Sequence, residues 1–139
     1  MRVRRWIALG VVLGVAVLVA GAILLLAPWP SGTLREVGDR FTPVGGSSDG
    51  PGTYEPRRLL CLGDNACPSV HRSWTVPSPL TNEQLQRSID AAGYDATIRG
   101  DCSTGNCVAR GTAQGWNVTI VALSNPGDRT AGVSLSVQR

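Results

Sequence analysis

Residues 80–93 read LTNEQLQRSIDAAG and predict an amphipathic helix with both ends defined. Thr81 suits the N-cap, and Gln84 three residues later completes a capping box. Gly93 is the residue type that most often ends a helix in the left-handed conformation. The apolar positions share one helical face: Leu85, Ile89 and Ala92. A helix this short gains most of its stability from packing, so we expect it to lie on a sheet.

Segments with strand character lie on both sides of this predicted helix. Val70 to Val76 alternates apolar and polar side chains, apart from Arg72, and Trp116 to Leu123 is the most strand-prone stretch. Gly, Asn and Pro mark short turns between the later strands, which therefore pair antiparallel. These patterns predict an α+β domain over residues 57–139, with one helix on one antiparallel sheet in the order ββαββββ. The predicted strands are 57–62, 70–76, 96–102, 107–112, 116–123 and 133–138.

The chain has four cysteines: Cys61, Cys67, Cys102 and Cys107. Their spacings lack the C-x-x-C pairs of zinc ribbons and redox centres, so we expect disulfides and no metal site. Three pairings are open, and a bridge across about 40 residues would stabilise by roughly 4 kcal/mol, against roughly 2 kcal/mol for a loop of about six. Turn-forming residues inside each local pair favour the short loops. We therefore predict Cys61–Cys67 and Cys102–Cys107, which would reinforce a small core.

Residues 28–56 differ in composition from the rest of the chain. Gly, Ser, Pro and Thr dominate, with GGSSDGPG at residues 45–52. Few apolar side chains are available to offset the entropy of ordering the backbone. We therefore predict a flexible, disordered linker over residues 28–56, in which Leu34, Val37 and Phe41 are the one apolar cluster that could order a short stretch.

Trp6 to Ala27 reads WIALGVVLGVAVLVAGAILLLA and contains no charged or amide side chain. At about 1.5 Å per residue, such a helix crosses the roughly 30 Å hydrocarbon core of a bilayer once. Arg2, Arg4 and Arg5 precede it, so the positive-inside rule places residues 1–5 in the cytoplasm and the C-terminal domain outside. We therefore predict a single-pass plasma-membrane protein with a signal anchor over residues 6–27. A cleaved signal peptide is the alternative, but its apolar region is usually only about 7–15 residues long and ends in an Ala-x-Ala site.

Three small residues, Gly10, Gly14 and Gly21, follow one side of the predicted span. Small residues at this spacing let transmembrane helices approach closely. We therefore expect helix packing at these glycines, either in a homodimer or with the helix of a membrane partner.

The charge distribution excludes one class of partner. The formal net charge of +3 comes from 13 basic and 10 acidic residues. Three of the arginines precede the apolar run, which leaves ten basic and ten acidic residues after it. Nucleic-acid binding needs clustered cations on one surface, so we expect no nucleic-acid partner for this neutral portion.

No catalytic, metal or cofactor site is predicted. His71 is the only histidine, and it lies on the polar side of a predicted strand. A glycosidase-like carboxylate pair could come only from Asp90, Asp95 and Asp101, each of which stands where aspartate is common for local reasons. A G-x-S-x-G motif is absent from the sequence.

These observations predict a non-enzymatic, single-pass protein of a bacterial cell envelope. Its extracytoplasmic domain would bind a partner protein or serve as an accessory subunit of a membrane complex. The alternative is an extracytoplasmic ligand-binding or sensor module for cell-wall or lipid material, which would present Trp74 or Trp116 in a concave pocket. An enzyme with an unrecognised site is a third alternative, and it would require convergent carboxylates with raised pKa values.

Overall fold

One antiparallel sheet of seven strands organises the part of the domain that the structure describes. The computed structural model describes residues 12–23, 32–56, 67–78, 80–125 and 127–139. The strand order is β1-β3-β7-β6-β5-β4, and β2 pairs with β3 on the same side as β1. The prediction of an α+β domain with an antiparallel sheet is confirmed. The strands are β1 Ser47–Ser48, β2 Thr53–Glu55, β3 Ser69–Pro77, β4 Asp95–Gly100, β5 Asn106–Ala113, β6 Trp116–Leu123 and β7 Thr130–Gln138.

The described residues contain three helical segments: α1 over residues 12–23, α2 Gly32–Arg40 and α3 Asn82–Ala92. The predicted ends of α3 are confirmed. The Thr81 side chain accepts from the Gln84 main-chain N–H, and the Gln84 side chain accepts from the Thr81 N–H at 2.9 Å. Gly93 is left-handed at φ 72°, which glycine adopts at little cost.

The buried core lies on one face of the sheet, under α2 and α3. α2 contacts β3 and β7, and α3 contacts β4. Alternate residues of each long strand are buried beneath the helices, as Val133, Leu135 and Val137 are in β7. Arg72 interrupts the apolar positions of β3, because it is a charged residue on the same covered face as Val70 and Trp74. Its guanidinium pairs there with Asp39 at the end of α2.

The prediction of a flexible linker over residues 28–56 is wrong for residues 32–56. Leu34 and Val37 recur on one side of α2, and together with Phe41 they are fully buried. Burying large apolar side chains stabilises by about 1.5–3 kcal/mol each, enough to order a nine-residue helix that has the sheet to pack on. The prediction of a single helix on the sheet is wrong for the same reason. Residues 28–31 are outside the described part of the chain.

Two short edge strands, β1 and β2, were also missed in this segment. They pair with opposite ends of β3, where Ser48 meets Trp74 and Tyr54 meets Val70. Neither strand carries an apolar alternation of its own, so only pairing with β3 makes it a strand. The predicted first strand, residues 57–62, lies outside the described residues.

One of the two predicted disulfides is present. Cys102 and Cys107 are bonded, with their Cα atoms 4.8 Å apart, and both are buried. The Asn82 side chain of α3 donates to the Gly100 carbonyl oxygen at 3.0 Å and accepts from the Cys102 N–H at 2.8 Å. The loop closed by the disulfide is therefore fixed to the start of α3. The predicted bridge between Cys61 and Cys67 cannot be placed, since Cys61 lies outside the described residues.

The predicted membrane span, Trp6 to Ala27, is described only over residues 12–23, which are helical. Within the part of the chain that the structure describes, no helix is both long enough and apolar enough to cross a bilayer. Gly14 and Gly21 lie on α1 with no neighbouring atom near the position of an added Cβ. Gly10 is outside the described residues, and helix packing at the three glycines stays a prediction.

Candidate functional site

The face of the sheet opposite the helices is uncovered by any element in the described part of the chain. We call it the open face, and its residues alternate along each strand with the buried ones. The strand register aligns one polar residue from each of six strands in a central row. Neighbouring strands are about 4.8 Å apart, so six positions cover about 24 Å. The central row is Thr53, His71, Ser136, Thr119, Arg110 and Thr97.

A second row beside it mixes hydroxyl, apolar and basic side chains. Its members are Ser73, Ser134, Val121, Val108 and Arg99, in order across the sheet. Val108 and Val121 oppose each other, and Leu123 follows two residues after Val121 on the same face with 53% of its surface exposed. The open face therefore combines a small apolar strip with surrounding hydroxyl groups and two arginines.

A shallow depression lies on the β2 side of this face and has a volume of about 280 Å³. Small-molecule sites usually occupy about 300–1,000 Å³ and enclose most of their ligand, so this depression is at the small end of that range. A broad, shallow surface suits a macromolecular partner better than a small ligand. Residues lining it include Thr53, His71, Ser73, Thr119, Ser134 and Ser136.

His71 lies in the central row and is exposed, as predicted for the polar side of its strand. Its cross-strand neighbours are Thr53 and Ser136, neither of which is a metal ligand of the usual kind. In the described residues, no group of three His, Cys, Asp or Glu side chains could hold a metal ion. The position of His71 therefore favours a hydrogen-bonding role on the open face.

The three aspartates considered for acid–base chemistry are exposed. Asp90 accepts from Gln86 Nε2 at 2.8 Å on α3. Asp95 begins β4 and Asp101 follows its end, and the strand between them is about 16 Å long. Paired glycosidase carboxylates lie about 5–9.5 Å apart, so the ends of β4 do not supply such a pair.

Asp101 has a local role in the disulfide loop. The Ser103 hydroxyl and main-chain N–H donate to its carboxylate at 2.6 and 2.9 Å. These hydrogen bonds hold the pKa of the Asp101 carboxyl below its usual value. A carboxyl kept ionised in this way stabilises a turn and is poorly suited to act as a general acid.

The two tryptophans that the sequence raised as ligand contacts differ in environment. Trp74 is buried in the core, where its ring meets Phe41 edge-on at 5.3 Å. Trp116 is half-buried and lines a second cavity of about 300 Å³ with Gln114, Gly115 and Arg139. This cavity lies at the β5–β6 turn and is the concave aromatic feature expected of a ligand-binding module.

The Trp116 cavity is held in place by α2. With the Gln114 amide oriented to satisfy its hydrogen bonds, its oxygen accepts from both terminal nitrogens of Arg40, at 2.9 and 3.1 Å. Arg40 also pairs with Glu36 at 2.6 Å. The cavity itself presents the Arg139 side chain and the half-buried indole of Trp116 at one end of the sheet.

Sequence patterns indicated the polar side of individual strands but missed the open face as a surface. Alternation in residues 133–138 predicts that Ser134 and Ser136 share a side. It contains no information about which residues of β3 and β6 they meet, because register depends on turns and on packing with distant segments. The central row therefore becomes visible only in the folded sheet.

Comparisons with known proteins assign no family. No protein-family profile and no solved structure matches the chain. The chain is similar to the arginine biosynthesis bifunctional protein ArgJ of Synechococcus sp., at 32% identity over 72 residues, which is 52% of this chain and 16% of that protein. A likeness to so small a part of a relative carries neither its family nor its activity to this chain.

Proposed function

We propose that this chain is a non-enzymatic, single-pass protein of the cell envelope whose outer domain binds a partner protein through the open face of the sheet. The observation that carries the proposal is the uncovered face itself. Both helices that pack on the sheet lie on the opposite side, and the alternate residues of β3, β5, β6 and β7 on this face are exposed or half-buried.

The dimensions of the open face support a protein partner. It is about 24 Å across the strands and about 20 Å along them, or roughly 500 Å² in projection. A specific protein interface buries at least about 1,000 Å² over both partners, so one face of this size supplies about half. The depression of about 280 Å³ within this face is shallow and open, as expected of a surface that meets a protein.

The composition of the open face supports the same partner class. Val108, Val121 and Leu123 form an apolar strip that runs to the end of β6, and Ser134 and Arg99 lie beside it. Protein interfaces commonly combine a small apolar centre with a polar rim, and arginine is enriched in them. The strip supplies apolar contact area, and the central row beside it supplies hydrogen-bonding groups.

The envelope location rests on two features. The apolar run from Trp6 to Ala27, preceded by Arg2, Arg4 and Arg5, would anchor the chain with residues 1–5 in the cytoplasm. The disulfide between Cys102 and Cys107 suits an oxidising compartment outside the cytoplasm, where such bonds persist. The partner would accordingly be another membrane or envelope protein.

The test is mild crosslinking of the full-length chain in its own membranes, followed by mass spectrometry of copurifying proteins. Ser134→Arg places a long charged side chain in the middle of the open face and should remove the crosslinked partner. Ala91→Arg adds the same charge at an exposed position of α3 and should leave the partner in place. Recovery of the same partner with Ser134→Arg at the parental level would contradict the proposal.

A second function, binding of cell-wall or lipid material, is favoured by the cavity at Trp116. An indole beside Arg139 and Gln114 could stack on a sugar ring while the guanidinium meets an anionic group. Soluble cell-wall fragments and anionic lipid vesicles are suitable probes for the full-length protein. If this function holds, Trp116→Ala should weaken binding at least tenfold and Ser134→Arg should not, which separates the two proposals.

A further inference from the structure

Strand β4 forms a continuous free edge of the sheet. It pairs with β5 on one side, and no strand in the described part of the chain pairs with it on the other. The opposite edge is different, because it consists of two short strands, β1 and β2. The segment between them contains Gly50 and Gly52, which both have positive φ. That interruption blunts one edge, whereas β4 has neither proline nor a bulge to prevent pairing.

The hairpin between β5 and β6 determines which backbone groups of β4 face outward. Gln114 and Gly115 form a two-residue turn with φ values of 51° and 79°, so the flanking pair Ala113 and Trp116 is hydrogen-bonded. Hydrogen-bonded and non-hydrogen-bonded pairs alternate along antiparallel strands. Arg110 is three residues before Ala113, so its pair with Thr119 of β6 is non-hydrogen-bonded and its N–H and C=O point toward β4. Thr97 is opposite Arg110 and therefore directs its own N–H and C=O toward β5. Ala96 and Ile98 therefore direct theirs to the free side.

One observed contact agrees with this assignment. Gly100 is two residues beyond Ile98, so its carbonyl should also face the free side. There it accepts a hydrogen bond from the Asn82 side chain at 3.0 Å. Asn82 satisfies this last carbonyl, while the outward groups of Ala96 and Ile98 are left for water or for another strand.

The side chains of β4 are self-complementary about Thr97. Asp95 and Arg99 are two residues before and two residues after it, all three on the open face. In an antiparallel pair centred on Thr97, Asp95 of one copy would oppose Arg99 of the other, and the reverse pair would form by symmetry. On the covered face, Ala96 would oppose Ile98, which matches a small side chain with a large one.

We propose that β4 pairs with β4 of a second copy, antiparallel about Thr97, to join two domains through one continuous sheet. This register makes Ala96 and Ile98 reciprocal hydrogen-bonded pairs, which satisfies the four outward groups of each strand. Asp95 and Arg99 then occupy non-hydrogen-bonded positions, where opposing side chains are closest. The two open faces lie on the same side of the joined sheet.

The edge of β4 is bordered by open space on the α3 side. A depression of about 380 Å³ runs between α3 and β4. Ile98 is half-buried there, and pairing would cover its remaining surface. Its lining is Asn82, Glu83, Gln86, Ala96, Thr97 and Ile98.

The first test is a cysteine crosslink in the full-length protein, held in detergent or in native membranes. Thr97→Cys puts two thiols opposite each other across the symmetry axis, at a Cα separation within the range of about 4.4–6.8 Å that disulfides require. Under mild oxidation it should give a covalent dimer. Thr112→Cys, an exposed threonine one strand further in, should give none. Absence of a Thr97→Cys dimer, or equal crosslinking at both positions, would overturn the proposal.

The second test exchanges charges and remains informative if oxidation is slow. Asp95→Arg or Arg99→Asp alone creates two like-charge pairs in the dimer, and each should raise its dissociation constant about tenfold. The double exchange restores both opposite-charge pairs, and its constant should return to within about threefold of the parental value. A dimer that ignores these exchanges, but is lost with Gly10→Leu and Gly14→Leu, would place the contact in the N-terminal helix and refute pairing through β4.

Discussion

The Tyr94 hydroxyl donates a hydrogen bond to the main-chain carbonyl oxygen of Val37. Tyr94 joins α3 to β4, and Val37 lies in α2, so this contact ties the first helix of the domain to its centre. The Tyr94 ring also stacks on Phe41, with ring centres 6.1 Å apart. Trp74 completes an aromatic cluster on the covered side of the sheet, where it holds the end of α2 against β3.

Replacement of Tyr94 by phenylalanine should destabilise the protein by about 1–2 kcal/mol. The ring and its packing remain, but the Val37 carbonyl loses its partner in a buried place. Urea unfolding of the full-length protein measures the change. An unaltered unfolding free energy would show that the carbonyl finds water and that the hydroxyl does not secure α2.

The same residue predicts a stability change at high pH. Burial raises the pKa of Tyr94 to about 12, from an ordinary value of 10.0. The folded state therefore prefers the neutral phenol, and its contribution is complete below pH 10 and is lost as the pH rises through about 12. The stability advantage of the parental chain over Tyr94→Phe should shrink across this range. A constant difference between pH 9 and 12 would contradict the assignment.

A side chain at Gly111 would collide with the backbone of β4. A Cβ at this position of β5 would lie 1.8 Å from the Asp95 carbonyl oxygen and 2.4 Å from the Ala96 Cα, both in the backbone of β4. Gly111→Ala should therefore cost about 1–3 kcal/mol and speed amide exchange in β4. Gly132→Ala in β7 is the control, because a Cβ added at Gly132 meets no atom within 4 Å. Equal effects of the two substitutions would disprove the close approach of β4 and β5.

Removal of the Cys102–Cys107 disulfide should cost about 2 kcal/mol, the chain-entropy value for a loop of about six residues. Both cysteines are buried, so alanine at both positions is the appropriate replacement. Thermal unfolding of the double variant measures the loss. An unchanged unfolding midpoint would contradict this and would mean that the hydrogen bonds between Asn82 and the loop hold it unaided.

The features that sequence patterns predicted are those with local signals. The capping box at Thr81 and Gln84 predicts α3, and residues spaced for a tight loop predict the Cys102–Cys107 bond. α2 was missed because its few apolar residues become sufficient only when a sheet that follows later in the chain buries them. β1 and β2 have no signal apart from their partner strand.

The open face was predictable only in fragments. Each strand shows which of its residues share a side, so the exposure of His71 and Ser134 follows from alternation. Their neighbours across the sheet depend on register, and β3 meets β7 across about 60 intervening residues. Arg72 shows the limit of alternation, because its place on the covered side depends on Asp39 from a helix the patterns did not predict.

Site-specific photocrosslinking in intact membranes tests partner binding through the open face most directly. A benzophenone side chain would be placed, one position at a time, at Ser73, Ser134 or His71 on the open face and at Glu36, Arg87 or Ala91 on the helices, all of them exposed. We expect the three sheet positions to capture one and the same envelope protein, and the three helix positions to capture none. Capture of that protein equally from the helix positions, or no capture from the open face, would contradict the proposed function.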